Sequence, residues 1–268
     1  MIRVGVAGWP VKHTRSPAIF AHWFERYGVD ARYELIPVAP EDADSFFAEL
    51  PAEWAGVNVT VPHKRTAAAH IKLEGAGARL GVANTLWRAD GVVCGTSSDG
   101  PGFVASLDAA APAWRDSNAP ALILGAGGAA LAIADALRAT GCAVTVANRT
   151  LAKAESIAAS TGAAAIPLTD LADAMAGCGV FINATTRGMA GIDPLDIDLS
   201  PLPASAVVAD IVYNPLETAL LAAARSRGLV AVDGLGMLLH QATLGFERWF
   251  GIKPEVDAAL RAKVVATL

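Results

Sequence analysis

Residues 121–150 read ALILGAGGAALAIADALRATGCAVTVANRT, and the fold turns on how this stretch is parsed. A short apolar run, Ala121 to Leu124, meets the glycine-rich turn Gly125-Ala126-Gly127-Gly128-Ala129-Ala130. A segment of helical composition follows, and a second apolar run, AVTVAN, closes the unit. Strand, glycine turn, helix and strand in that order predict a βαβ unit. The glycines permit a tight turn and let the backbone approach a pyrophosphate seated on the helix N-terminus. Gly125, Ala126, Gly127, Gly128 and Ala129 are therefore expected to bind a dinucleotide; a purely structural turn is the alternative.

The end of the second strand selects the dinucleotide. NAD binders usually place an Asp or Glu there, which accepts from the ribose hydroxyls. This chain has Asn148-Arg149-Thr150, with Lys153 one turn later. A carboxylate would repel a 2′-phosphate, whereas a guanidinium pairs with it and can stack on adenine. NADP is the expected cofactor, set against a merely solvated arginine at a strand end.

Downstream, GVFINAT, AVVADIVY and LVAVDG are continuously apolar, as parallel strands buried on both faces are. Upstream, IRVGVAG, RYELIPV and AGVNVTVP read as strands alternating with helices over AIFAHWFERYG, EDADSFFAEL and RTAAAHIK. Ser16-Pro17 supplies an N-cap and first-turn proline for the first of these helices, and Gly28 stops it. Asp90-Gly91 between two apolar runs predicts a type I′ hairpin. A composition shift at LDAAAPAWRDSNAP separates the halves, and the two last segments are helical with no strand after them. The expected class is α/β with two domains. Residues 1–101 form an N-terminal α/β substrate domain, on which 237–268 pack back as helices. Residues 102–236 form a Rossmann-like NADP domain with a mainly parallel sheet.

Composition narrows the class of partner. Among 268 residues, 53% are hydrophobic and 18% charged, which excludes a disordered chain. The net charge of −5, without a Lys/Arg block, argues against nucleic acid and anionic membranes. The N-terminus lacks the build of a signal peptide, and no apolar run is long enough to span a bilayer. Cys94, Cys142 and Cys178 form no CxxC and suit a reducing cytoplasm. There is no GxSxG, HExxH or GxxxxGK[ST], so a serine hydrolase, a zinc site and an NTPase are not expected, and no metal is. The oligomeric state stays open between monomer and homodimer.

In the first domain, GVNVTVPHK puts Asn58, Thr60 and Lys64 at and beyond the carboxyl end of a strand, where ligands of open α/β sheets collect. Polar groups recur at equivalent ends: Thr14 and Ser16 after the first strand, Asn84-Thr85 before the hairpin and Asp99 after it. Hydroxyls and amides with one lysine and one aspartate suit a small polyhydroxylated acid.

Together these motifs resemble the shikimate dehydrogenase family, over nearly the whole chain. GWPVKHTRSP is similar to the family's G-x-P-x-x-H-S-x-S-P, VNVTVPHK to its N-V-T-x-P-x-K and ANTL to its V-N-T-L. GAGGAA, NRT, INATTRGM, DIVYNPLETALL and DGLGMLLHQA match in order and spacing. The resemblance implies two α/β domains and an NADP-linked interconversion of 3-dehydroshikimate and shikimate, a step of aromatic amino acid biosynthesis. It implies Lys64 and Asp99 as the catalytic pair. Thr14, Ser16 and Tyr213 then hold the substrate carboxylate, and Asn58, Thr60, Asn84 and Gln241 surround the ring hydroxyls. Met237 lies beside the nicotinamide, with Thr185, Val212 and Gly234 in cofactor-contacting segments. Hydride reduction of a ketone builds negative charge on oxygen, so a cationic proton donor lowers the barrier.

Three departures fall in the substrate half. Thr14 stands where the family usually has serine, Phe20-Ala21 where it commonly has His-Asn, and Ser97-Ser98-Asp99 where it reads N-T-D. Exchanging an amide for a hydroxyl shortens the reach and changes the donors. Quinate or another cyclic hydroxy acid therefore stays open as the substrate, as does a non-catalytic NADP-binding sensor.

Overall fold

A computed structural model describes residues 1–116 and 118–268. They divide into two compact units, Met1–Ser98 with Gln241–Leu268, and Asp99–His240.

The first unit holds a six-stranded sheet of β1 (Ile2–Gly8), β2 (Ala31–Pro37), β3 (Trp54–Val59), β4 (Lys72–Leu73), β5 (Thr85–Ala89) and β6 (Val92–Thr96). Their order is β2-β1-β3-β5-β6-β4. β1 runs parallel to β2 and β3, whereas β5 pairs antiparallel with β3 and β6. The reversal follows from the Asp90-Gly91 turn, whose φ values of 49° and 79° are the two positive angles a type I′ hairpin requires. The hairpin thus forms as its dipeptide predicts.

One face of this sheet is closed by rings from both ends of the chain. Phe20, on helix Ser16–Tyr27, is fully buried and stacks on Tyr33 with ring centroids 4.2 Å apart. Phe246 and Trp249, on helix Gly234–Phe250, lie 6.1 and 5.3 Å from the Phe20 ring. The Trp249 indole also donates to the Leu86 carbonyl at 2.8 Å, and a side chain at Gly56 would strike that indole. Each such ring buried contributes roughly 1.5–3 kcal/mol, so the final helices are part of this core.

The second unit has a six-stranded, wholly parallel sheet: β7 (Ala121–Leu124), β8 (Val144–Asn148), β9 (Ala164–Pro167), β10 (Val180–Asn183), β11 (Val207–Asp210) and β12 (Val230–Val232). Their order is β12-β11-β10-β7-β8-β9, the doubly wound Rossmann arrangement. The strand order reverses between β7 and β10, where ligands of such sheets bind. Continuously apolar strands form its core; Leu122, Ile123, Phe181, Ile182 and Val208 are all essentially inaccessible.

Three local expectations change. Arg15, not Ser16, is the N-cap of the first helix; Ser16 is already helical and its hydroxyl is engaged elsewhere. β9 was not expected, because GAAAIP lacks the β-branched run of its neighbours. β4, at two residues, and the helix Gly75–Leu80 are too short to leave a periodic signal. Among the described residues, no helix is long and apolar enough to cross a membrane.

Candidate active site

In the first unit, most of the expected substrate-binding side chains form a hydrogen-bonded set. It begins where the chain leaves β1: the Thr14 hydroxyl donates to Ser16 Oγ at 3.0 Å and accepts from the Ser16 N–H at 3.2 Å. Ser16 lies beside the Tyr33 phenol on β2, close enough to lower its titration. The Tyr33 hydroxyl donates to Asn58 Oδ1 on β3 at 2.8 Å. The Asn58 amide donates to the Asn84 carbonyl at 3.2 Å and to Thr85 Oγ1 at 3.3 Å.

The set extends to the loop after β6. Asn84 Oδ1 accepts from the Ser98 N–H at 2.7 Å and lies 3.1 Å from its hydroxyl. That hydroxyl is also 3.1 Å from Thr85 Oγ1 and 3.5 Å from Gln241 Oε1. Asn84 Nδ2 donates to the same Gln241 oxygen at 3.3 Å. Parallel pairing of β1 with β2 and β3 aligns their carboxyl ends, which brings Thr14, Ser16 and Asn58 together. The antiparallel return of β5 brings Asn84.

The other expected residues are placed by the segments that carry them. Thr60 follows β3, with its methyl against Gly8, where any side chain would strike it. Lys64 is half-buried and opens helix Lys64–Ala69; its carbonyl accepts from the Ala83 N–H at 3.0 Å, beside Asn84. Asp99, also half-buried, follows Ser98 directly and opens helix Asp99–Ala110 in the second unit. Tyr213 and Met237 are half-buried in the second unit.

Thr85 and Ser98 join the network, and so does Tyr33, although nothing in the sequence marked Tyr33 as ligand-facing. Phe20 is the converse case: as part of the aromatic core it lies within the protein, and Ala21 beside it is exposed. Two of the histidines have structural partners, His63 Nε2 at 2.7 Å from the Val38 carbonyl and His70 Nε2 at 2.8 Å from Asp44. Burial raises all three thiols, Cys178 to about 12, so none is a ready thiolate.

In the second unit the glycine turn has two kinds of glycine. Gly125 has φ 112°, and a Cβ there would stand 2.9 Å from the Ala184 carbonyl oxygen, so packing and backbone both demand glycine. At Gly127 and Gly128 a Cβ would meet no protein atom within 4 Å. Their bareness serves nothing inside the protein; it leaves the N-terminus of helix Gly128–Ala139 open to an approaching group. The turn thus fits a pyrophosphate.

Asn148 Nδ2 donates to the Thr150 carbonyl at 2.9 Å, closing a tight bend around exposed Arg149. Thr150 sits at the N-cap of helix Leu151–Thr161 without a capping hydrogen bond, and Lys153 is exposed one turn on. Among the described residues no ion pair or hydrogen bond engages the Arg149 side chain, so its guanidinium is available to an external anion.

Across the switch point, Thr185 is fixed by Asn183, whose Oδ1 accepts its N–H at 3.0 Å and its hydroxyl at 2.7 Å. Val212 is fixed by Asp210, whose Oδ1 accepts its N–H at 3.0 Å. Gly234 is buried, and a side chain there would strike the Ile211 carbonyl, so its role includes close packing of the loop after β11.

Residues 6–86 match the family model for the shikimate dehydrogenase substrate binding domain, 109–208 that for shikimate / quinate 5-dehydrogenase, and 234–262 that for the shikimate 5′-dehydrogenase C-terminal domain. The NADP(+) shikimate dehydrogenase of Azorhizobium caulinodans is 48% identical over 273 residues, covering 100% of this chain and 97% of the relative. The chain belongs to the shikimate dehydrogenase family. Its fold is similar to that of shikimate 5-dehydrogenase from Thermus thermophilus, solved with NADP(H) and shikimate, with a TM-score of 0.89, 33% identity and full coverage of both chains. It is also similar to quinate dehydrogenase from Corynebacterium glutamicum, solved with NAD, with a TM-score of 0.88, 28% identity and 99% of each chain covered. Within this family the departures at Thr14 and Ser98 fall inside the hydrogen-bonded set, whereas that at Phe20-Ala21 lies in the aromatic core and on the outer surface.

Proposed function

We propose that this chain is an NADP-dependent shikimate dehydrogenase, interconverting 3-dehydroshikimate and shikimate by reversible hydride transfer. The observation that carries the proposal is the array Thr14, Ser16, Asn58, Asn84 and Gln241 within one unit, with Thr14 bonded to Ser16 and with Asn58 and Gln241 both bonded to Asn84. A dense set of hydroxyls and amides is chemistry for a carboxylate and several ring hydroxyls, because such sites discriminate through individual hydrogen bonds.

In this reading Thr14 and Ser16 donate to the carboxylate with Tyr213, while Asn58, Thr60, Asn84 and Gln241 meet the ring hydroxyls. Gly125 to Ala129 receive the pyrophosphate; Asn148, Arg149, Thr150 and Lys153 receive the 2′-phosphate and adenine. Thr185, Val212, Gly234 and Met237 flank the nicotinamide. When bound, NADPH supplies the hydride. Lys64 gives its proton to the ketone oxygen as negative charge builds there, and Asp99 holds and aims the ammonium. In the oxidative direction Lys64 accepts the proton from the hydroxyl. The enzyme acts on small molecules in the cytoplasm; its three cysteines are unpaired, as a reducing compartment allows.

A second reading, oxidation of quinate, is favoured by the hydroxyl of Ser98 and the added methyl of Thr14 inside the network. Steady-state rates with shikimate and quinate, each with NADP+ and NAD+, test both. The highest kcat/KM is expected for shikimate with NADP+. A preference for quinate replaces the first reading with the second, and no turnover of either leaves a binding protein without catalysis.

A further inference from the structure

Tyr33 is absent from every role assigned above, yet its hydroxyl lies beside Ser16 and bonds Asn58 in the substrate network. Its ring stacks on Phe20 within the aromatic core. Its hydroxyl donates to Asn58 Oδ1 at 2.8 Å. Burial pushes the phenol well above its ordinary value, with Ser16 partly opposing, so it stays a neutral donor at any working pH.

The consequence lies in the inventory of the Asn58 amide. A carboxamide has two N–H hydrogens and two acceptor sites on oxygen. Both hydrogens are directed within the protein, to the Asn84 carbonyl and to Thr85 Oγ1. One acceptor site is taken by Tyr33. What remains is a single lone pair on Oδ1.

Building on the proposed function, we infer that Tyr33 is a positioning residue that fixes Asn58 as a pure hydrogen-bond acceptor for a substrate hydroxyl. An amide rotated by half a turn would set its oxygen against the Asn84 carbonyl, so that bond points Oδ1 toward Tyr33 and the phenol's hydrogen bond holds it there. Without it, Oδ1 loses the donor that holds it in place, and its second acceptor site falls open. Tyr33 therefore acts on hydroxyl recognition through Asn58, from a place in the core.

The test is Tyr33→Phe, which keeps the ring and its stacking on Phe20 while deleting the hydroxyl. KM for shikimate is expected to rise about 3- to 10-fold, as for loss of one hydrogen bond. KM for NADP+ and the thermal midpoint are expected to stay close to the parent's. In an Asn58→Ala background the same substitution should add no further rise in shikimate KM, because its effect passes through Asn58. A shikimate KM unchanged by Tyr33→Phe overturns the inference. So does a parallel rise in both KM values with a lowered midpoint, which marks a structural role alone. Additive effects in the Asn58→Ala background overturn it as well. The parent is measured alongside: if it lacks shikimate turnover, the proposed function fails and takes this inference with it, whereas an active parent with an unaltered variant removes the inference alone.

Discussion

Asn183 Nδ2 donates to Asp210 Oδ1 across 2.9 Å, joining the carboxyl ends of β10 and β11 beneath the loops that carry Thr185 and Val212. The Asp210 carboxylate also accepts from the Val212 N–H at 3.0 Å and from the Thr218 hydroxyl at 2.7 Å. One buried acid thus satisfies three donors and sets the shape of two loops on the proposed nicotinamide side.

Removing that acid should be costly. Asp210→Ala strands three buried donors and is expected to lower unfolding free energy by about 3 kcal/mol in urea titrations. The milder Asp210→Asn carries a pH signature. Burial raises this carboxyl above the ordinary 3.8, despite the hydrogen bonds from Val212, Thr218 and Asn183 that oppose it. The native chain therefore binds the proton more tightly than the unfolded one. Stability from this group is complete below the unfolded value and declines as pH rises through the folded one. The stability lost in Asp210→Asn should accordingly be larger at about pH 4 than at about pH 7. Equal losses at both would mean that burial does not govern this acid.

The two kinds of glycine in the cofactor turn predict two kinds of variant. Gly125→Ala forces φ 112° on a residue with a Cβ and presses it against the Ala184 carbonyl. A loss of about 2–4 kcal/mol is expected on unfolding. Gly127→Ala meets no protein atom and should unfold within about 1 kcal/mol of the parent. Fluorescence titration should nevertheless show weakened NADPH binding by this variant, because the new methyl projects toward the approaching phosphate.

The proposed function assigns cofactor choice to Arg149. Replacing it with alanine is expected to raise KM for NADP+ about 10- to 100-fold, the scale of a charge-assisted contact to phosphate. KM for NAD+, which lacks the 2′-phosphate, should change little. An equal rise for both cofactors would assign Arg149 to adenine stacking instead.

Lys64→Ala should bind NADPH like the parent while kcat falls by about 10²–10⁴, the range for loss of a positioned acid. Turnover equal to the parent's would remove Lys64 from the proton-transfer step.

The fold was legible wherever a local rule suffices. Asp90-Gly91 announces its hairpin because only a few dipeptides accept two positive φ values. Gly125 to Ala129 announce a strand-to-helix junction because close backbone approach needs bare glycine. β9 was hidden because its alanines have little side chain to declare a strand. The substrate network was half legible. Asn58 and Ser16 sit in motifs, but Tyr33 enters through the pairing of β1 with β2, a tertiary fact its own segment does not encode. Phe20 misled for the same reason. Its neighbours in sequence lie near the ligand residues, whereas its ring meets Phe246 and Trp249, more than two hundred positions away.

That aromatic cluster also fixes an order of assembly during synthesis. Phe20 and Trp23 leave the ribosome more than two hundred residues before Phe246, packed 5.3 Å from Trp23, and Trp249. The Rossmann unit is one uninterrupted segment and can close as soon as it has emerged. The sheet begun by the first strand must wait for the final helices. Translation halted before Phe246 would leave its ring-lined face bare, a nascent surface of the kind chaperones hold, although the sequence behind it was finished long before.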